Sequence, residues 1–361
     1  MIDDLSAFII AGRVKAEPNG RYETDERSPA QGILDGVEAE AVGFRRIFLS
    51  ERWNLKEAGA LLGGVGALTK RIGLATGLIN PASRHPLHAA ALGSTMTAAY
   101  GNRFVLGLGR GDNGVLKGTG LRAATMAAFV DYATIVRRLW EGETVSYDGP
   151  AGSYEALSLG DLHAGPPPEL WFGTFGLTRA AEAAAMCMDG VLLVPNMTPA
   201  ATAETVQRLR AACLRMDRDP ATLRIAQCVI TAPDLDDTET RQIAHARAVT
   251  YLQAPGYGDA LCRVNHWDRS IVGRLSDHTQ LRSSASSPIA DSMFHRNQLT
   301  EPAKLVPDEW MIESCAIGST DDCVAQFARF REAGADELVT YGSTPRQNAK
   351  LAAAWEARNH G

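Results

Sequence analysis

Glu51, Arg52 and Trp53 follow one another in "RRIFLSERWNLKEAG" (residues 45–59), directly after the apolar run Ile47-Phe48-Leu49. The carboxylate could orient a reacting group or manage a proton. The guanidinium could hold an anion or a developing negative charge, and the indole could wall off an apolar ligand. The same stretch also reads as a solvated strand end followed by a helix cap. Arg52 stays protonated at neutral pH, so it would be an electrostatic clamp and not a general base.

Three further segments place chemistry-bearing residues after an apolar run. "GLGRGDNG" (107–114) carries Gly109, Gly111 and Gly114 at G-x-G-x-x-G spacing. A dinucleotide fingerprint belongs to a strand–turn–helix opening a β-α-β unit. Here the glycines follow the fourth strand candidate and the next helix starts late, which leaves a plain turn or a ligand loop carrying Asp112. "TGLINPASRHP" (76–86) is punctuated by Gly77, Pro81 and Pro86 and reads as an ordinary loop or as a strained functional one. His85 and His88 lack an evident third ligand, so no metal site is expected. "FGTFGLTRAAE" (172–182) places Gly173, Thr174 and Gly176 before a helix, either as a capping turn or as a phosphate cradle of backbone amides.

These segments need a scaffold, and one rhythm supplies it. Short apolar strands alternate with longer helical stretches about eight times, from "LSAFIIA" (5–11) to "ELVTYG" (337–342). Strands separated by helices run parallel, and eight such units predict a closed (β/α)8 TIM barrel rather than a doubly wound sheet. The chain reads as a single barrel domain over 1–361 with two interruptions. One is a hairpin insertion at 142–169, with Asp148-Gly149 between its strands. The other is an irregular, lid-like insertion at 255–312.

Functional loops of such a barrel follow the strands at their C-terminal ends, where all four segments fall. Of 361 residues, 45% are hydrophobic and 22% charged, with a net charge of -6. That balance gives no electrostatic case for nucleic acid. No apolar run is long enough to span a membrane, and the basic-then-apolar opening of a signal peptide is missing. The six cysteines contain no C-x-x-C pair and read as reduced thiols. A cytoplasmic protein is the expectation.

Five segments in order, "GFRRIFLSERW", "RIGLATGLINPASRHP", "NRFVLGLGRGD", "ELWFGTFGLTRAAEAAAMCMDGVLL" and "IGSTDDCVAQFARFREAGADELVTY", resemble the luciferase-like (bacterial luciferase) superfamily, in its deazaflavin-dependent branch. The resemblance implies a TIM barrel that binds coenzyme F-420, or alternatively FMN, at its C-terminal face. It implies a non-prolyl cis peptide at Gly77–Leu78 behind the tricyclic ring, with Thr76 and Asn80 at the pyrimidine or ring edge. Gly107 and Gly109 would lie along the ring loop. Asp112 stands where relatives often have Glu, and Asn113 is the nearest substitute for an Asn that relatives carry at the position of Val115. Gly173, Thr174, Phe175 and Gly176 would hold the cofactor phosphate.

"SERW" aligns with a typical Ser-Asp-His, so Glu51 replaces an Asp and Arg52 a His. A histidine-based alcohol oxidation is therefore disfavoured. Glu51 and Asp112 become ring-orienting or proton-managing carboxylates, Arg52 the clamp and Trp53 an apolar wall. The function implied is a deazaflavin-dependent oxidoreductase moving a hydride to or from a small organic substrate, in a chain expected to form a homodimer. The alternatives are an FMN-dependent monooxygenase served by a flavin reductase partner, and a non-catalytic cofactor-binding barrel.

Overall fold

The computed structural model describes residues 1–11, 28–51, 56–111, 113–116, 119–254, 256–282, 290 and 293–360. Arg52, Trp53 and Asp112 lie outside the described residues.

Short, nearly continuous apolar runs form strands buried on both faces, as a parallel barrel requires. The strands in chain order are β1 (Leu5–Ile9), β2 (Arg46–Leu49), β3 (Gly73–Thr76), β4 (Phe104–Leu108), β5 (Val145–Gly149), β6 (Gly152–Leu157), β7 (Glu169–Thr174), β8 (Gly190–Leu193), β9 (Arg224–Pro233), β10 (Ala316–Gly318) and β11 (Glu337–Tyr341). Parallel pairing runs β9-β11-β1-β2-β3-β4-β7-β8, and a β8–β9 ladder closes the barrel. Strand β10, which the sequence pattern did not announce, extends the edge of β9 through Ala316↔Thr231.

The helices are α1 (Pro29–Val42), α2 (Ala58–Leu68), α3 (Pro86–Tyr100), α4 (Asn113–Leu116), α5 (Met126–Trp140), α6 (Thr178–Cys187), α7 (Pro199–Arg215), α8 (Asp237–Ile243), α9 (His245–Leu252), α10 (Tyr257–Asn265), α11 (Ser270–Asp277), α12 (Thr279–Arg282), α13 (Thr300–Ala303), α14 (Asp308–Ser314), α15 (Thr320–Glu332) and α16 (Ala349–His360). Ser28 caps α1 through the Gln31 amide, with Pro29 at the first helical position. Among the described residues no helix is long and apolar enough to cross a membrane.

Two expectations need correction. The 255–312 segment is helical rather than irregular, since α10 to α14 occupy its described part. Its two ends are joined by Trp267 stacked on Trp310, with ring centroids 4.4 Å apart and planes 4° from parallel. Helices this short contain too few turns for a 3.6-residue pattern to be read. The hairpin forms as β5 and β6, but Asp148 and Gly149 belong to its first strand and pair with Ser153 and Gly152. The reversal falls on Pro150 and Ala151, because proline presets the φ that a turn needs and donates no ladder hydrogen bond.

One apolar core lies between sheet and helices. A second fills the barrel, where Phe48, Ala75, Val105, Trp171, Leu192, Cys228 and Val339 meet, and it continues under the helical insertion. The N-terminal floor of the barrel is ionic. The fully buried Glu337 accepts from Ser6 Oγ at 2.5 Å and Arg224 Nε at 2.6 Å, with Arg46 Nε 3.1 Å away.

Candidate active site at the C-terminal mouth

One side of the mouth is almost free of side chains. The inward-facing positions nearest the mouth are Gly107 on β4, Gly109 just past it and Gly173 on β7, and the chain after β3 passes over them through a cis peptide at Gly77–Leu78. A Cβ on Gly173 would fall within the Leu78 side chain, one on Gly107 onto the Thr76 carbonyl oxygen, and one on Gly109 3.1 Å from Leu78. The glycines therefore let the Leu78 segment lie flat against β4 and β7. Ile79 then rejoins the ladder, donating to the Gly107 carbonyl at 2.9 Å and accepting from the Gly109 amide at 2.8 Å. Leu78 stays half-buried, so the finished wall is backbone plus one aliphatic side chain.

The polar residues flanking this wall brace it. Thr76 is fully buried, and its hydroxyl donates to the Gly107 carbonyl and accepts from the Gly107 amide, both at 2.8 Å. Its side chain thus faces the β4 backbone. Asn80 Oδ1 takes the Ala82 amide at 2.9 Å, and its Nδ2 lies where a side chain on Gly111 would project. Asn113 is exposed and accepts from the Ala123 amide at 2.8 Å, tying down the loop ahead of α5.

Opposite the wall runs an arc of rings. Phe8 on β1 meets Tyr341 on β11 with centroids 4.9 Å apart. Tyr341 and Tyr251 of α9 join through their hydroxyls at 2.8 Å. Tyr251 packs on Tyr257 of α10 at 5.3 Å, and Tyr257 on Phe175 after β7 at 4.6 Å. The ends of the arc reach the ends of the wall, since Phe8 lies against Gly77 and Phe175 follows Gly173 closely. Phe8, Phe175, Tyr251 and Tyr257 are only half-buried although they pack on the barrel core. Phe175 was read as part of a phosphate loop; its ring belongs to this arc.

Strand β7 leads from the wall into α6. Thr174 Oγ1 accepts from the Gly176 amide at 3.1 Å, and Gly176 adopts φ 62° against Thr205 of α7. Helix α6 starts without a side-chain cap. Its first-turn amides point out of the helix end, where the peptide dipoles favour an anion. Arg208 of α7 adds a cation beside that end, donating to the Gly176 carbonyl at 3.1 Å.

Glu51, at the end of β2, is nearly buried: its side chain is 6% exposed and meets Arg84 Nη2 at 2.5 Å. Arg84 also pairs with Glu57, whose carboxylate caps α2. Burial works against the Arg84 cation, but the Glu51 and Glu57 carboxylates outweigh it and raise its pKa above the ordinary value. Arg84 was assigned no role from sequence, since it stands 33 residues from Glu51. Arg84→Ala would leave the buried Glu51 charge without its cation. The expected loss is about 3 kcal/mol of stability, with partial recovery in Arg84→Lys, read from urea unfolding midpoints.

The fold and the mouth together define a (β/α)8 barrel with a flat, glycine-lined wall and an anion-favouring helix end beside it. Residues 16–337 match the model of the luciferase-like monooxygenase family, and the chain belongs to that family. A Mycobacterium tuberculosis protein bearing the name coenzyme F-420-dependent oxidoreductase is 26% identical over 335 residues, covering 87% of this chain and 91% of that protein. The 5,10-methylenetetrahydromethanopterin reductase of Methanolobus tindarius is 22% identical over 306 residues, 83% of this chain and 86% of its own. The structure of the coenzyme F-420-dependent tetrahydromethanopterin reductase of Methanopyrus kandleri superposes with a TM-score of 0.74 at 18% identity, over 92% of this chain and 96% of that one.

Proposed function

We propose that this protein is a coenzyme F-420-dependent oxidoreductase acting on a small organic substrate at the C-terminal mouth. The observation that carries the proposal is the flat wall of Gly107, Gly109, Gly173 and Leu78 leading directly into the uncapped start of α6. A tricyclic ring needs a face clear of projecting side chains, and its phosphate needs outward-pointing amides at one end. The name borne by the Mycobacterium tuberculosis relative supports the same cofactor.

When bound, the deazaflavin supplies the hydride chemistry. The protein's residues do the positioning. Leu78 and the glycine wall would back the ring. The amides at the start of α6, with Arg208 beside them, would hold the phosphate. Glu51, fixed by Arg84, is a carboxylate held in place at the rim rather than a freely swinging acid. Arg52 as a clamp, Trp53 as an apolar wall and Asp112 as a second acid remain part of the proposal on sequence grounds.

A titration of the purified protein with coenzyme F-420 and with FMN, read by ring fluorescence, tests the cofactor. Saturable F-420 binding, at least about tenfold tighter than FMN, is expected. Tighter FMN binding would replace this assignment with a flavin-dependent monooxygenase.

A further inference from the structure

The hydroxyls of Tyr251 and Tyr341, 2.8 Å apart, form a pair in the aromatic arc. Tyr341 points into the barrel by strand alternation. Glu337 and Val339 on the same strand face inward, onto the ionic floor and the interior core. Tyr251 reaches it from α9. A phenol has one proton to donate, and its oxygen also accepts. In the pair, one proton lies between the two oxygens and the other is left to donate to a third group. Donation within the pair also polarises the remaining O–H.

We propose that the Tyr251–Tyr341 pair donates this hydrogen bond to the carbonyl oxygen of a ring-bearing substrate held against the aromatic arc. The proposal deepens the oxidoreductase assignment by naming a substrate class, and rests on it for the identity of the redox partner. Burial raises the pKa of Tyr251 well above that of an ordinary phenol, with Tyr341 and Tyr257 adding to the shift, so Tyr251 is a donor and not a base. The Arg247 guanidinium lies over the Tyr341 ring, 5.2 Å from its centroid, and favours negative charge developing nearby. The half-exposed rings of Phe8, Phe175 and Tyr257 offer apolar faces on which a substrate ring can stack. The pair thus supplies an electrophile at the mouth.

The probe is 4-dimethylaminocinnamaldehyde, whose absorption moves to the red when its carbonyl accepts a hydrogen bond. Cofactor-free protein should bind it saturably with a red shift and a lowered carbonyl stretch in the Raman spectrum. Tyr251→Phe and Tyr341→Phe should each lose most of the red shift while affinity changes no more than several-fold, because the rings remain. Tyr147→Phe, which removes a hydroxyl on the β5–β6 hairpin, should keep it. An unshifted carbonyl stretch in the wild type, a red shift that survives both mouth substitutions, or no binding at all would overturn the proposal. F-420 quenching measured on the same samples separates the two claims. Normal F-420 binding with a failed probe test removes only the substrate class, whereas a passed probe test without F-420 binding removes the cofactor assignment.

Discussion

Replacing Glu337 with Ala should destabilise the protein by about 3–5 kcal/mol, the usual consequence of removing one member of a buried ion cluster. Glu337 is fully buried at the barrel floor, where Arg46, Arg224 and Arg45 converge on it with Nε atoms 3.1, 2.6 and 3.7 Å from its carboxylate. Without it, the Arg46 side chain, only 6% exposed, keeps Glu169 at 3.5 Å, which is half in solvent. Burial lowers the pKa of Arg45, repulsion from Arg224 and Arg46 lowers it further, and attraction to Glu337 opposes both. The alanine variant removes the larger attraction opposing that repulsion and leaves Arg45 only the exposed Asp3. Glu337→Gln should cost less, because it can still accept from Ser6. Urea unfolding should show a lower midpoint with an unchanged slope. A loss below about 1 kcal/mol would mean that solvent neutralises the floor arginines, contrary to the burial seen here.

Thr178→Glu should weaken coenzyme F-420 binding about 100-fold without destabilising the fold, since a 2.7 kcal/mol penalty is the scale of a carboxylate placed against a bound phosphate. Thr178 is exposed and opens α6. A glutamate there suits the helix, because acids near a helix N-terminus stabilise it by about 0.3–1 kcal/mol. It also competes for the amides assigned to the phosphate. Stability and affinity should therefore move in opposite directions, a pattern that general damage to the fold does not produce. Thermal unfolding and F-420 fluorescence on the same variant measure both. Unchanged affinity would place the phosphate elsewhere.

The barrel was legible because its strands are short apolar runs that end in glycine, proline or charge, as Ile47-Phe48-Leu49 does before Ser50. Residues 76–86 read as a loop, ordinary or strained. In the structure β3 ends at Thr76, and Ile79 returns only as an isolated bridge to Leu108. The glycines at 107, 109 and 173 were legible as places of close approach, but what first approaches them is Leu78 of the same chain. That contact joins loops of different strands, and no local pattern encodes it. Thr76 and Asn80 were picked out by position, yet their side chains hydrogen-bond to neighbouring backbone. The arc of Phe8, Tyr341, Tyr251, Tyr257 and Phe175 was missed because its members come from four elements and a loop-borne ring, two of the helices being too short for their periodicity to be read. Single Tyr and Phe residues at strand ends were the only available signal.

Amide hydrogen exchange with and without coenzyme F-420 tests the central claim most directly. Slower exchange is predicted in peptides covering residues 76–80 and 173–181, the wall and the start of α6, with little change on the helices at the N-terminal floor. Protection confined to other parts of the chain, or none at saturating F-420, would contradict the assignment of this mouth as the cofactor site.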